Sequence, residues 1–237
     1  MKFNKKYLGF AVVAVIIIGG LFMILSANGQ KEKGEKDQNL VIDLPDPVLK
    51  SNVSLEEAIS KRRSVRSYKN EPVSLADISQ LLWSAQGITE KSRGLRAAPS
   101  AGATYPLNLY LIVGRAEGVP QGVYRYEVDS HRIVRILEGD VREALKKASH
   151  GQDFLTQGAI SILISGIYER TTGKYGERGI KYTHYEAGHA AQNLHLQAIP
   201  LNLGTVLVGA FKDDEVKKII PLTPNEEPFY IMPFGRI

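Results

Sequence analysis

Four segments carry side chains or backbone able to do chemistry. The first is Arg62-Arg63-Ser64-Val65-Arg66-Ser67-Tyr68, with three guanidinium groups and a serine hydroxyl inside five residues. Guanidinium forks bind phosphate bidentately, and a hydroxyl beside them donates or accepts. A basic last turn that complements a helix dipole is the plainer alternative. The second segment is Ala98-Pro99-Ser100-Ala101-Gly102-Ala103-Thr104-Tyr105-Pro106. Its small side chains let a backbone approach a flat ring closely. The third, Gly204-Thr205-Val206-Leu207-Val208-Gly209-Ala210-Phe211, reads as a strand ending in a glycine turn. The fourth, Met232-Pro233-Phe234-Gly235-Arg236-Ile237, brings a distant basic residue able to complete a phosphate site.

Other chemistries find less support. The chain has no cysteine, which removes disulfides, thiolate metal sites, cysteine-held iron–sulfur clusters and a cysteine nucleophile. His184, His189 and His195 are five and six residues apart, whereas two ligands on one helix face need three or four. Glu186 and His189 form one Glu-x-x-His pair without a second, so no metal is expected. There is no GxSxG elbow, no lysine-containing phosphate loop and no GxGxxG after a strand. Lys181 and Tyr182 are the candidate proton-handling residues, weighed against an exposed lysine beside a packed tyrosine.

These segments need a folded body to position them. The 237 residues are 43% hydrophobic and 23% charged, which fits one globular domain with appendages. Residues 1–37 hold six lysines and three acids, while the remaining 200 carry 24 basic and 22 acidic side chains. The body is nearly neutral, so no nucleic-acid partner is expected. Lys2, Lys5 and Lys6 precede an uncharged run whose apolar centre is Phe10 to Leu25. Its length fits a membrane-spanning helix over residues 7–27, read as an uncleaved signal anchor; cleavage near Ala27 would leave a secreted protein. The leading lysines favour an inside amino terminus, and Lys31, Lys33 and Lys36 reduce that bias. Residues 28–39 read as a polar tether, and 40–237 as the folded domain.

Within that domain, Ser54-Leu55-Glu56-Glu57 predicts a helix start, with the helix ending at Lys61 or Arg62. Ser74 to Asp77 starts a second helix with Ile78, Leu81 and Leu82 on one face. Residues 87–106 read as a loop. Strands are expected at 107–113, 160–167, 205–211 and 229–233, with a hairpin of 123–128 and 132–137. Helices are expected at 140–149, 182–198 and 213–220. The alanines of the long helix suggest close contact with another helix, across a subunit boundary as one option. Strands and helices mix without strict alternation, so the fold class is α+β.

Together, the order and spacing of the four segments resemble the nitroreductase-like FMN flavoproteins. The runs APSAGATYPLNLYLIV and YEAGHAAQNLHLQA look like the SagB-type dehydrogenase branch, which includes enzymes that oxidise azolines to azoles in peptide products. The resemblance covers about Leu55 to Arg236. It implies an α+β homodimer with a mainly antiparallel central sheet flanked by helices, and flavin sites at the subunit interface. Arg62, Arg63, Ser64 and Arg66 would contact the FMN phosphate, ribityl chain and pyrimidine edge. Pro99, Ser100, Ala101 and Gly102 would reach the flavin from the partner subunit. Val208 and Gly209 would lie beside the ring system, and Arg236 would return to the phosphate. The implied activity is hydride transfer between a donor such as NAD(P)H and an organic substrate. A non-catalytic flavin binder and a cofactor-free tethered module are the alternatives. The chain departs from the family's usual run before Gly204, where Pro200 should end the long helix early.

Overall fold

The computed structural model describes residues 40–237. The expected membrane span at 7–27 and the tether at 28–39 lie outside the described residues. Among those described, no helix is long and apolar enough to cross a membrane.

Capping chemistry places the first two helices where the sequence puts them. Ser54 accepts from the Glu57 backbone N–H at 3.1 Å and opens α1 (Leu55–Lys61). The Glu57 carboxylate does not return to the cap; it pairs with Lys61 at 2.6 Å. Ser74 opens α2 (Leu75–Gln86) with the full reciprocal box, its hydroxyl accepting from Asp77 N–H while the Asp77 carboxylate accepts from Ser74 N–H.

The described strands are β1 (Val41–Asp43), β2 (Ile88–Glu90), β3 (Leu95–Arg96), β4 (Leu107–Val113), β5 (Gly122–Glu127), β6 (Arg132–Glu138), β7 (Ile160–Gly166), β8 (Leu203–Thr205) and β9 (Glu227–Arg236). Seven of them form one sheet in the order β1-β6-β5-β4-β7-β9-β8, and every neighbouring pair is antiparallel. The remaining helices are α3 (Arg142–Ala148), α4 (Phe154–Gln157), α5 (Glu169–Tyr175), α6 (Arg178–Ala198) and α7 (Asp213–Ile219). The sheet is covered on both faces. On one, α6 packs on β4, β7, β8 and β9, and α2 packs on α6. On the other, Leu145, Ala148, Leu155, Val216 and Ile220 close over Tyr110, Ile112, Leu163 and Ile231. Strand alternation produces this split, since Leu109 and Leu111 point away from Tyr110 and Ile112.

Several sequence expectations change. The alanines of α6, Ala187, Ala190, Ala191 and Ala198, are buried inside the single chain, where their small size lets α2 and the sheet approach. The long helix begins at Arg178, and α5 fills most of the expected loop before it. Thr171, on α5, is buried and its hydroxyl hydrogen-bonds that of Thr104 at 2.8 Å; this contact anchors a sequence too rich in Gly and Thr to announce a helix. The expected loop 87–106 contains the β2–β3 hairpin and a 3₁₀ turn at Ala101–Ala103. The expected strand 205–211 stops at Thr205 and touches the sheet again only where Val208 bridges Ile231.

One buried carboxylate ties the sheet to the last loop. Glu226 is fully buried and accepts from Asn108 Nδ2 (2.9 Å), Tyr110 Oη (3.0 Å), Ser165 Oγ (2.5 Å) and both the backbone and hydroxyl of Thr223 (3.3 and 3.1 Å). Replacing Glu226 with alanine orphans these donors, each at a cost of about 1–3 kcal/mol when it stays dry. We expect Glu226→Ala to lower unfolding free energy by about 3 kcal/mol or more in urea titration; a change below about 1 kcal/mol would show that water replaces the carboxylate.

Candidate functional site

The arginine segment follows α1 and is held as an extra edge on the sheet. Ser64 bridges Thr205 in parallel fashion, and Val65 N–H donates to Thr205 O at 2.9 Å. Lys69 N–H donates to Arg236 O at 2.9 Å. Two glycines make this close approach possible: a Cβ at Gly204 would stand 2.6 Å from Val65, and one at Gly235 would stand 2.7 Å from Tyr68. The Tyr68 hydroxyl donates to Val65 O at 2.7 Å, and burial pushes its pKa up. The backbone of residues 64–69 is therefore fixed.

The side chains on that backbone are not spent. Arg63 Nη1 donates only to the carbonyls of Ser60 and Arg62, at 3.0 and 2.7 Å. Among the described residues, Arg62, Arg63 and Arg66 have no carboxylate within 4.0 Å, although ion pairs form elsewhere on the surface. Beside them, Thr205 Oγ1 and His195 Nδ1 are buried without a hydrogen-bond partner. Burial, and then the nearby Arg62 charge, lower the His195 pKa. Three guanidinium groups within five residues, with no carboxylate partner among the described residues, fit a phosphate-bearing cofactor.

Val208 and Gly209 continue from β8 along the same edge. Val208 exchanges backbone hydrogen bonds with Ile231, both 2.9 Å. A Cβ at Gly209 would meet nothing closer than the Tyr230 ring at 3.7 Å. Gly209 is exposed, and a side chain there would rest in ordinary contact with the Tyr230 ring. Arg236 is engaged differently. Its Nη2 pairs with Asp77 at 2.5 Å and its Nη1 donates to Leu201 O at 2.7 Å. In this arrangement Arg236 ties the start of α2 to the loop after α6, away from the free arginines' role.

The Pro99–Gly102 loop lies elsewhere in the chain. Ser100 Oγ accepts from Tyr105 N–H at 2.9 Å. Gly102 sits at φ 59 and Tyr105 at φ 45, a left-handed conformation that is costly for an aromatic residue. The loop packs near Glu186, whereas the arginine segment packs near His195. Nine residues of α6 separate these points, or roughly 14 Å at 1.5 Å per residue. One chain therefore does not bring the two groups together.

Lys181 is exposed, and Tyr182 is half-buried between the Tyr175 and Tyr185 rings with Arg178 over its face. Neither meets the loop. Another lysine–tyrosine pair does, seven residues earlier. Lys174 Nζ donates to Gly102 O at 3.2 Å, and a Cβ at Gly102 would fall 2.5 Å from the Tyr175 hydroxyl. Sequence reasoning passed over Lys174 and Tyr175 because their segment read as loop; the repeated Lys-Tyr dipeptide was the available signal. His184 bonds Tyr168 at 2.9 Å, His189 is exposed and His195 is buried, so these three imidazoles face different surroundings.

Glu186 is the unusual ionisable group near the loop. It is 2% exposed, and its Oε1 has no hydrogen-bond partner. Burial raises its pKa to about 7, against the opposing pull of Ser100, Gln86 and Arg96.

A three-layer α+β sandwich with an unpaired arginine cluster along its last strands is the architecture of the nitroreductase class. The chain belongs to the Nitroreductase family, whose sequence profile matches residues 59–236. A nitroreductase homologue of Methanocaldococcus jannaschii is 46% identical over 195 residues, covering 82% of this chain and 96% of that protein. The trifolitoxin operon protein TfxC of Rhizobium leguminosarum is 24% identical over 194 residues, covering 76% of this chain and 54% of that protein. A crystal structure of a nitroreductase homologue from Ralstonia eutropha superposes with a TM-score of 0.73 at 26% identity, covering 83% of this chain and 89% of that one.

The Glu186 environment predicts a pH effect. Below about pH 4.5 the carboxyl is protonated in both folded and unfolded chains. Between about 4.5 and 7 only the unfolded chain ionises, so stability falls across that window and is constant above it. The full loss is roughly 3 kcal/mol. Urea titrations of wild type and Glu186→Gln at pH 5 and 8 should diverge by that order, with the variant gaining relative stability at pH 8; parallel curves would contradict the assignment.

Proposed function

We propose that this protein is an FMN-dependent oxidoreductase that works as a homodimer, moving hydride between a donor such as NAD(P)H and an organic substrate. The unpaired cluster of Arg62, Arg63 and Arg66 carries the proposal. A fixed backbone presents three cations that no carboxylate among the described residues neutralises, and a bound phosphate is their natural counter-ion. Ser64 would add a hydroxyl to the same site. Val208 and Gly209 would lie against the flavin ring, Gly209 being exposed and without a side chain to hold the ring off. When bound, FMN would supply the hydride chemistry, and the protein's part is to bind, orient and shield.

The dimer is supported by the separation of the two groups along α6. Pro99 to Gly102 can reach a flavin held by the arginine segment if they come from a second subunit. Val48, Leu49, Leu55 and Ile59 are exposed apolar side chains that a subunit contact would cover. Lys174 and Tyr175, which touch the loop through Gly102, would then be the residues placed to hold or pass a proton at the partner's site, in preference to Lys181 and Tyr182. The apolar run at 7–27 supports a single-pass membrane anchor for the domain.

Two measurements test this. Arg63→Ala with Arg66→Ala should bind FMN at least about tenfold more weakly and purify with little or no yellow colour, since each charge-assisted contact contributes about 1.5–3 kcal/mol. Unchanged flavin content would overturn the phosphate assignment. Lys174→Ala should keep its flavin yet lose roughly a hundredfold or more in the substrate half-reaction, with a smaller effect from Lys181→Ala; equal losses at both positions would return the assignment to an open question between the pairs.

A further inference from the structure

A second cation-rich site borders the Pro99–Gly102 loop, apart from the arginine segment and from Val208 and Gly209. The β2–β3 hairpin, the start of β4 and the β5–β6 turn enclose a cavity of about 620 Å³. None of Arg62 to Arg66, Val208 or Gly209 lines it.

Two guanidinium groups on its wall are held by one residue, Tyr105. The Arg96 guanidinium carbon lies 4.4 Å from the centre of the Tyr105 ring, and its Nη1 donates to Gln86 Oε1 at 3.1 Å. Arg170 Nη1 donates to the Tyr105 carbonyl at 3.4 Å and to Asn108 Oδ1 at 3.1 Å. Among the described residues, neither arginine has a carboxylate within 4.0 Å. They are near enough that the Arg170 charge disfavours that of Arg96, and burial disfavours it more strongly. Asp129, which also lines the cavity, and Glu186 oppose this from beyond ion-pair range, so Arg96, Arg125 and Arg170 outnumber the two lining carboxylates, Glu127 and Asp129, by one. A third cavity cation, Arg125, is already engaged with Glu127 at 3.0 Å.

Gln86 stands at the same wall, fully buried, accepting from Arg96 through its oxygen and acting on the Glu186 carboxylate through its amide. Tyr105 itself is held in the left-handed region, which fixes its ring under Arg96 and its carbonyl toward Arg170. The arrangement thus gathers donors and like charges, at a cost in desolvation and backbone strain, with no anion in contact.

We propose that this cavity binds a small organic acid, its carboxylate gripped between Arg96 and Arg170. The volume falls in the range of small-molecule sites and far exceeds an inorganic ion. Leu107, Tyr110 and Tyr126 offer apolar and aromatic surface for the body of such a ligand. Because Tyr105 ends the loop that begins at Pro99, occupancy would also stiffen that loop. The site does not depend on the flavin assignment.

Calorimetric titration of the full-length protein with benzoate, benzamide and inorganic phosphate tests this. Benzoate should bind saturably, one per chain. Benzamide, isosteric without the charge, and phosphate, charged without the ring, should each bind at least tenfold more weakly. Arg170→Gln, at an exposed position, should weaken benzoate at least tenfold while leaving flavin content unchanged. No saturable benzoate binding, equal affinity in wild type and Arg170→Gln, or phosphate binding as tightly as benzoate would each overturn the proposal.

Discussion

The pairing of residues 64–69 with the far end of the chain is the contact on which the rest of the site depends. Val65 on Thr205 and Lys69 on Arg236 are backbone hydrogen bonds, so they hold whatever the side chains do. They add the arginine segment to β8 and β9 as though it were a further edge. Among the described residues these arginine side chains then meet no carboxylate, although Arg63 also donates to the Ser60 and Arg62 carbonyls at the end of α1. Gly204 and Gly235 are required because Val65 and Tyr68 press directly on their α-carbons. Arg236, by pairing with Asp77, ties the same corner to the capping box of α2. One corner therefore joins the start of the domain, its second helix and its last strand.

Two buried glutamates show how surroundings decide the behaviour of one residue type. Glu226 is surrounded by donors from β4, β7 and its own loop, so its position in the protein interior is satisfied. Glu186 is nearly as buried but leaves an oxygen without a partner, and its pKa rises to about 7. The first is a structural fastener. The second stores a pH-dependent cost inside α6, next to the loop that the proposed dimer would present to its partner.

The proposed chemistry divides along α6 in the same way. Its carboxyl-terminal half supports the arginine segment, and its amino-terminal half supports the Pro99–Gly102 loop with Lys174 and Tyr175 behind it. A helix of 21 residues is rigid enough to keep these ends apart, and the proposed homodimer would draw the two halves of its site from different copies. The cofactor's phosphate end and the substrate end would then be governed by different chains, which allows binding and turnover to be altered separately.

Much of this was legible in the sequence, for identifiable reasons. Local chemistry marked the capped starts of α1 and α2, the continuous apolar runs of β4 and β7, and the hairpin β5–β6. Each depends on neighbours a few residues away. The arginine cluster and the small-residue loop were legible as types and spacings. What escaped were features created by distant contacts. Residues 169–175 form a helix because Thr171 meets Thr104 and Lys174 meets Gly102. The β8 ladder stops at Thr205, because the next partner in register on β9 is Pro233, which has no N–H to donate. The α6 alanines pack inside the chain because α2 and the sheet reach them first. Composition and spacing by themselves determined the α+β class, the candidate cofactor segments and the absence of thiol chemistry. Only the tertiary structure decided that Arg236 is bound to Asp77 while Arg62, Arg63 and Arg66 meet no carboxylate among the described residues, because ion pairing depends on which carboxylates the fold brings within reach.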